Sequence, residues 1–216
     1  MAQRTASRRR QKNPESYRHG DLRNALLKQA LALIESRKEV TFTIREIAAA
    51  AGVSHAAAYR HFKSKREILG ALAADGFSQM QQAFAASLVV SAQKKTSSAR
   101  ELAKAYVTFA VTHPGSFRVM FHPDLKSLVD DSELEQSSMA AFGTLVECMQ
   151  HNQKVGRFVD RPTEDLVVVA WSLVHGLSTL LVNESFPANF TGKDFGGPAT
   201  IEAMAQLLEL GLLKRY

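Results

Sequence analysis

The residues best suited to chemistry lie between positions 43 and 65, where basic and hydroxyl-bearing side chains recur at helical spacing. Tyr59, His61 and Lys65 can donate hydrogen bonds to phosphate oxygens, and Arg45 can reach either a phosphate or the O6 and N7 acceptors of guanine. Ala56 is small enough to let a helix approach base edges. These residue types indicate that the segment binds a polyanion.

Catalytic chemistry has much weaker support. The chain has no HExxH, GxSxG, P-loop or Rossmann glycine pattern, and its seven histidines, which include His19, His113, His122 and His151, are dispersed along it. Cys148 is the single cysteine and lies in an apolar helical stripe, which is typical of an inert, packed thiol. We therefore expect no catalytic residue, no metal site and no cofactor. A cytosolic enzyme is the least favoured alternative.

The net charge of +6 is distributed unevenly. Residues 1–70 carry 15 Lys and Arg against 6 Asp and Glu, whereas residues 71–216 carry 12 against 15. A basic first third suggests a polyanionic partner, although a solvated surface with a basic tail would give the same charge. Residues 1–16 are Arg-rich and lack an apolar period, so we expect them to form a disordered basic arm.

Capping signals divide residues 43–62 into two short helices and a tight turn. Thr43 and Glu46 have the spacing of a capping box, and Gly52 suits a left-handed turn at the end of that helix. Ser54 is a good N-cap for the next helix, on which Ala58 faces inward. The opposite face carries His55, Ala56, Tyr59, Arg60 and Lys63. This outline matches a helix-turn-helix, which presents its second helix to the major groove of DNA, but a generic helical hairpin shares it.

The remainder of the chain shows only helical periods, so we expect an all-α protein of about nine helices. Ser64 and Glu67 form a second capping box, and the apolar stripe over residues 69–88 predicts a long fourth helix of about 24 residues, roughly 36 Å. Ser98 should cap the fifth helix and Ser132 a later one. Residues 201–212 carry an apolar stripe that predicts the last helix.

Residues 166–182 are apolar nearly all round, which raises the question of a membrane span. Seventeen residues of helix reach only about 26 Å against a hydrocarbon core of about 30 Å, and five small or polar residues interrupt the segment. We therefore expect a buried interface helix and no membrane partner. The single cysteine, without a disulfide partner, favours a cytoplasmic location.

Residues 43–48 (TIREIA), 52–65 (GVSHAAAYRHFKSK) and 66–72 (REILGAL) resemble the TetR/AcrR family of bacterial transcriptional regulators. The resemblance extends upstream to residues 17–23 (YRHGDLR). It also reaches residues 113–121 (HPGSFRVMF) and 171–176 (WSLVHG), which look like the branch whose regulatory domain is named for its Trp, His and Gly.

The resemblance implies an architecture and a function. Residues 17–78 would form a three-helix DNA-binding domain, joined by a long helix to a ligand-binding and dimerisation domain over residues 79–216. The protein would act as a homodimeric repressor that binds a palindromic double-stranded DNA operator and is released by a small-molecule effector. The DNA-contacting residues would be Arg45, Ser54, His55, Ala56, Ala57, Tyr59, Arg60, His61 and Lys65. Ala58 stands where the family often has a larger apolar residue, so the packing beneath the recognition helix should be looser.

Aromatic and thioether side chains in the second domain are the candidates for the effector pocket. They are Phe109, Phe117, Met120, Phe121, Phe142, Met149, Trp171 and His175. The same residues at helical spacing could equally fill a core. A sequence-neutral architectural DNA-binding protein is the main alternative to a regulator. It would bind all duplexes alike, whereas a repressor should prefer its operator by ~10³ or more.

Overall fold

A computed structural model describes residues 19–127, 132–186 and 195–214. Within these residues the chain forms nine α-helices and one short 3₁₀ helix, with a single isolated β-bridge between Phe158 and Leu213. The helices are α1 (His19–Arg37), α2 (Ile44–Ala50), α3 (His55–His61), α4 (Lys65–Lys94), α5 (Ser98–Thr112), α6 (Pro114–Met120), α7 (Ser132–Lys154), α8 (Thr163–Val182) and α9 (Pro198–Leu212), with the 3₁₀ helix over Pro123–Ser127. The all-α expectation is confirmed. The basic arm lies outside the described residues.

The capping box predicted at the start of α2 is present. The Thr43 hydroxyl accepts from the backbone N–H of Glu46 at 3.2 Å, and the Glu46 carboxylate accepts from the backbone N–H of Thr43 at 2.7 Å. Arg37, in the last turn of α1, donates to the same carboxylate at 2.6 Å. These bonds from Arg37 and Thr43 lower the pKa of Glu46 to about 2. The box therefore fixes the start of α2 and ties it to the end of α1.

We expect Thr43→Ala to lower the free energy of unfolding by about 1 kcal/mol, because it removes one of the two capping hydrogen bonds. Thermal or urea denaturation measures the change. Thr41→Ala is the matched control, since Thr41 uses its backbone carbonyl to accept from Arg37. An equal loss in both variants would show that the capping bond contributes little.

α1, α2, α3 and the first turns of α4 enclose one apolar core, which we call the head core. Leu26, Ile34, Ile47 and Leu69 are fully or almost fully buried in it. Ala58 is also fully buried, so its small side chain is accommodated within the core. α4 then continues into a second core formed with α5 to α9.

α4 spans 30 residues, about 45 Å, and is longer than the predicted helix of about 24 residues. The apolar stripe used for the prediction ends at Leu88, but the helix continues until Lys95 adopts a left-handed conformation and its N–H bonds to the carbonyl of Ser91. Ser64 caps the other end as predicted. Glu67, however, accepts from the backbone N–H of Lys63 rather than from the N-cap residue.

The N-cap of α5 is Ser97, not Ser98 as predicted, and its hydroxyl accepts from the N–H of Arg100. Ser98 instead contacts α7, where its hydroxyl accepts from the side-chain amide of Asn152 at 3.0 Å. Cys148 lies beside both residues, and burial raises the pKa of its thiol. Burial thus keeps the thiol protonated, which agrees with its predicted packing role.

α8 is long and apolar enough to cross a membrane by length and composition alone. At 20 residues, about 30 Å, it is longer than the segment used for the prediction, so length does not argue against a span. Its inner side, however, belongs to the protein core: Val174 and Ser178 are buried, and His175 is hydrogen-bonded to α5. Its outer side is apolar and exposed.

Candidate nucleic-acid interface and regulatory cavity

Two local features orient α3 relative to α2. Gly52 has a φ of +69°, a left-handed conformation that favours glycine, and the next N–H, that of Val53, bonds back to the carbonyl of Ala48 at 3.0 Å. The Ser54 hydroxyl then accepts from the N–H of Ala57 at 3.1 Å and caps α3. The turn and the cap together give the geometry of a helix-turn-helix.

The exposed face of α3 carries four of the residues predicted to contact DNA. His55, Ala56, Tyr59 and Arg60 are exposed, and the rings of His55 and Tyr59 meet edge to face with centroids 4.5 Å apart. Tyr59 is 43% exposed despite its size. Arg45, in the first turn of α2, and the N-cap residue Ser54 are exposed as well. The structure therefore presents a polar, aromatic and cationic face.

Ala57 departs from the predicted arrangement. It is only 8% exposed and directly precedes Ala58, which is buried in the head core with Phe62. A base contact by Ala57 is therefore not expected. His61 is half-buried at the end of α3.

Lys65 has a structural contact that the sequence does not reveal. Its ammonium group donates to the backbone carbonyl of Val40 at 2.9 Å and lies 5.2 Å from the centroid of the Phe42 ring. The side chain thus connects the start of α4 to the α1–α2 connection. Lys63, exposed between α3 and α4, adds a cation that is absent from the predicted contacts. The run of basic residues at 63–66 is its sequence signal.

A cavity of about 250 Å³ lies in the second core. Three of the predicted pocket residues line it: Phe121, Phe142 and Trp171. The lining residues that sequence reasoning missed are Phe77, Met80, Phe84, Tyr106, Ser138, Met139, Ala141 and Leu145. Most of them lie on α4 and α7, where helical periodicity marks inward-facing positions but does not distinguish a cavity wall from filled core.

The other predicted pocket residues lie outside the lining of this cavity. Phe117 and Met120 are buried on α6, and Phe109 is buried with its ring stacked on His113 at 4.8 Å. Met149 borders a much smaller void of about 20 Å³. These four residues are packed in the core, as the alternative interpretation predicts.

His175 stands behind the cavity wall in a hydrogen-bonded group with Tyr106 and Trp171. The Trp171 N–H, which can only donate, reaches the Tyr106 oxygen at 3.3 Å, and Tyr106 lies 2.9 Å from Nδ1 of His175. Burial lowers the pKa of His175 and raises the pKa of Tyr106. Burial thus favours the uncharged form of both side chains, and a hydrogen bond joins the Tyr106 oxygen to Nδ1 of His175.

Titratable residues elsewhere form no candidate metal centre. Across residues 19–127, 132–186 and 195–214, no group of three or more His, Cys, Asp or Glu side chains could hold a metal ion.

Comparisons with solved structures support the fold. The chain is similar to a protein of unknown function from Rhodococcus sp. RHA1, with 26% identity and a TM-score of 0.74, covering 93% of this chain and 100% of that one. It is also similar to a bacterial regulatory protein in the tetR family from Rhodococcus RHA1, with 18% identity, a TM-score of 0.68, and coverage of 90% and 98%. A third structure, the TetR family transcriptional regulator PfmR from Thermus thermophilus, has 20% identity, a TM-score of 0.64, and coverage of 88% and 99%.

Family models match the N-terminal and the C-terminal part of the chain, whereas no curated protein sequence matches the chain. Residues 26–72 match the bacterial regulatory proteins of the tetR family, a range that contains the helix-turn-helix. Residues 99–205 match a tetracyclin repressor-like C-terminal domain, a range that contains Trp171 and His175. The chain belongs to the TetR family of DNA-binding transcriptional regulators.

Proposed function

We propose that the protein is a homodimeric, cytoplasmic repressor that holds a palindromic operator and is released when a small molecule occupies the cavity of about 250 Å³. The proposal rests on the observation that α4 is one unbroken helix. It supplies Leu69 and Ala73 to the head core, and Met80 and Phe84 to the cavity wall. A ligand that displaces the second half of α4 therefore moves the first half, which shares the head core with Ala58 of α3, the second helix of the helix-turn-helix and the recognition helix of the proposal.

The proposed domains follow the two cores, except that Val119 and Leu134 of the second domain also pack in the head core. We assign residues 17–78 to the DNA-binding head and residues 79–216 to the regulatory and dimerisation domain. Phe77 packs against both cores and also lines the cavity, close to the assigned boundary. The same side chain thus contacts the ligand space and the head.

α6 supplies a second connection between the cavity and the head. Phe121, which follows α6, lines the cavity, whereas Val119 is buried in the head core. Gly115 lies so close to α1 that a Cβ there would be 2.6 Å from Cγ of Glu35. A displacement of Phe121 by a ligand would therefore be passed through α6 to its close contact with α1. A coupling free energy of ~1–3 kcal/mol between ligand and operator is typical of such linkage.

The proposed dimer uses the outer sides of α8 and α9, which we call the α8–α9 face. Its exposed apolar residues are Val168, Val169, Leu173, Leu180, Leu207 and Leu210. Apolar residues concentrated on two neighbouring helices are typical of a protein–protein interface. A two-fold dimer would place two recognition helices on half-sites roughly one helical turn apart.

Selection of bound duplexes from a random DNA pool, with the solution mass recorded alongside, tests the proposal. We expect an enriched palindrome bound by a dimer. Salt-sensitive binding without enrichment would favour the architectural alternative, because phosphate contacts alone carry no sequence information. No DNA binding at all would contradict both functions.

We expect Lys65→Ala to weaken binding to all duplexes and to lower the slope of log K against log salt by about 1, as the loss of one phosphate contact predicts. The salt titration separates two roles of Lys65. Loss of its bond to Val40 alone would lower affinity without changing the slope. Lys94→Ala, at the far end of the same helix, is the matched control and should change neither quantity.

A further inference from the structure

The lining of the cavity of about 250 Å³ restricts the chemistry of what can enter it. Among the described residues that line it, none carries a charged side chain. Burying an ion without a partner is strongly unfavourable, whereas an uncharged molecule loses little on leaving water for such a site. We infer that the effector is an uncharged, predominantly aromatic molecule about the size of two fused rings, an inference that rests on the proposed regulatory function of this cavity.

Polar groups near the wall are already satisfied by the protein. The Trp171 N–H donates to the Tyr106 oxygen, and Tyr106 shares a second hydrogen bond with Nδ1 of His175. The hydroxyl of Ser138 donates to the backbone carbonyl of Glu135 at 3.0 Å. A ligand whose ionised group lies inside the cavity, away from its opening, would have to break one of these bonds to gain a partner. The wall therefore selects against charged ligands.

The size and the walls favour flat rings. An engineered apolar cavity of ~150 Å³ holds benzene, so a volume of about 250 Å³ suits a two-ring molecule. Phe142 meets Trp171 edge to face with centroids 5.9 Å apart, and Phe77 meets Phe121 in the same way at 5.6 Å. Aromatic rings prefer such edge and offset contacts with further rings. The cavity opens beside Met139, which is 64% exposed, so a ligand can enter without unfolding the domain.

Three naphthalene-based probes test the inference on the full-length protein without DNA. They are naphthalene itself, the anion 1-naphthoate and the cation 1-naphthylmethylammonium. Titration calorimetry gives the affinities, and the emission of Trp171, the single tryptophan of the chain, reports occupancy of the cavity. We expect naphthalene to bind and both ions to bind at least ~100-fold more weakly. An ion that binds as tightly as naphthalene, or naphthalene that does not bind below its solubility limit, would overturn the inference.

Two neighbouring alanines on α7 provide a cavity-filling variant and its matched control. Ala141 is buried and lines the cavity, whereas Ala140, next to it on α7, lies outside the lining. Ala141→Leu should weaken naphthalene binding at least ~10-fold by occupying the space, and Ala140→Leu should leave it unchanged. If Ala141→Leu loses its cooperative melting transition, Ser138→Leu fills the same space from a half-buried position. Unchanged binding in the folded filling variant would place naphthalene elsewhere and overturn the inference.

Operator release is measured separately, on the sequence selected from the random pool. Naphthalene that binds in the cavity but leaves the operator bound would contradict ligand-induced release while supporting the chemical class of ligand. A charged molecule that binds in the cavity and releases the operator would support ligand-induced release while contradicting the chemical class of ligand. The inference and the proposed function can therefore fail independently.

Discussion

A Val169→Asp variant should be a monomer in solution and bind its operator ~1,000-fold more weakly than the parent protein. Val169 lies on the α8–α9 face and is 61% exposed in the single chain, so water can reach the carboxylate in the monomer. In a dimer it would be buried against apolar side chains of the second copy, where an unpaired charge is strongly disfavoured. The substitution therefore opposes association and leaves the fold of each chain intact.

The loss of DNA affinity follows from the loss of the second recognition helix. A lone helix-turn-helix contacts one half-site, whereas the proposed dimer holds two, and specific binding typically exceeds non-specific binding by 10³ or more. Light scattering gives the mass, and electrophoretic mobility shift gives the affinity. Val89→Asp is the matched control, because Val89 is an exposed valine on α4, away from the α8–α9 face. A dimeric Val169→Asp protein, or equal effects of both substitutions, would contradict the proposed interface.

A Phe62→Ala variant should lose specific DNA binding while remaining a dimer with an intact regulatory domain. Phe62 is the C-cap residue of α3 and is 2% exposed, so it makes no direct contact with DNA. Its ring packs in the head core, and the Arg23 guanidinium lies 5.2 Å from the ring centroid. Truncating a buried phenylalanine to alanine typically costs about 3–5 kcal/mol of stability. In a head with one small core, that loss should unfold α3 locally.

Hydrogen exchange by mass spectrometry locates the effect. Peptides from α2 and α3 should lose protection, whereas peptides from α5 and α8 should keep it. Phe186→Ala is the control, since Phe186 is half-buried outside the head core and stacks on Phe195 at 4.5 Å. A Phe62→Ala protein with normal operator affinity would contradict the prediction, because it would show that the head tolerates the space left by the missing ring.

The sequence by itself determined the helices of the head and their ends. The capping box at Thr43, the left-handed turn at Gly52 and the cap at Ser54 depend on bonds between residues three to five positions apart. Such contacts form within a short stretch of chain, whatever the rest of the protein does. For this reason the helix-turn-helix, the all-α class and the family could be predicted from residue order alone.

Only the tertiary structure decided which predicted residues act together. Whether Phe121 lines a cavity and Phe117 fills core depends on where α4, α7 and α8 pass each other, and each of these helices shows the same apolar period. The bond from Lys65 to Val40 joins residues 25 positions apart, so no local sequence pattern predicts it. Local spacing gives the direction of a side chain from its own helix, but the neighbour that it meets is set by long-range packing.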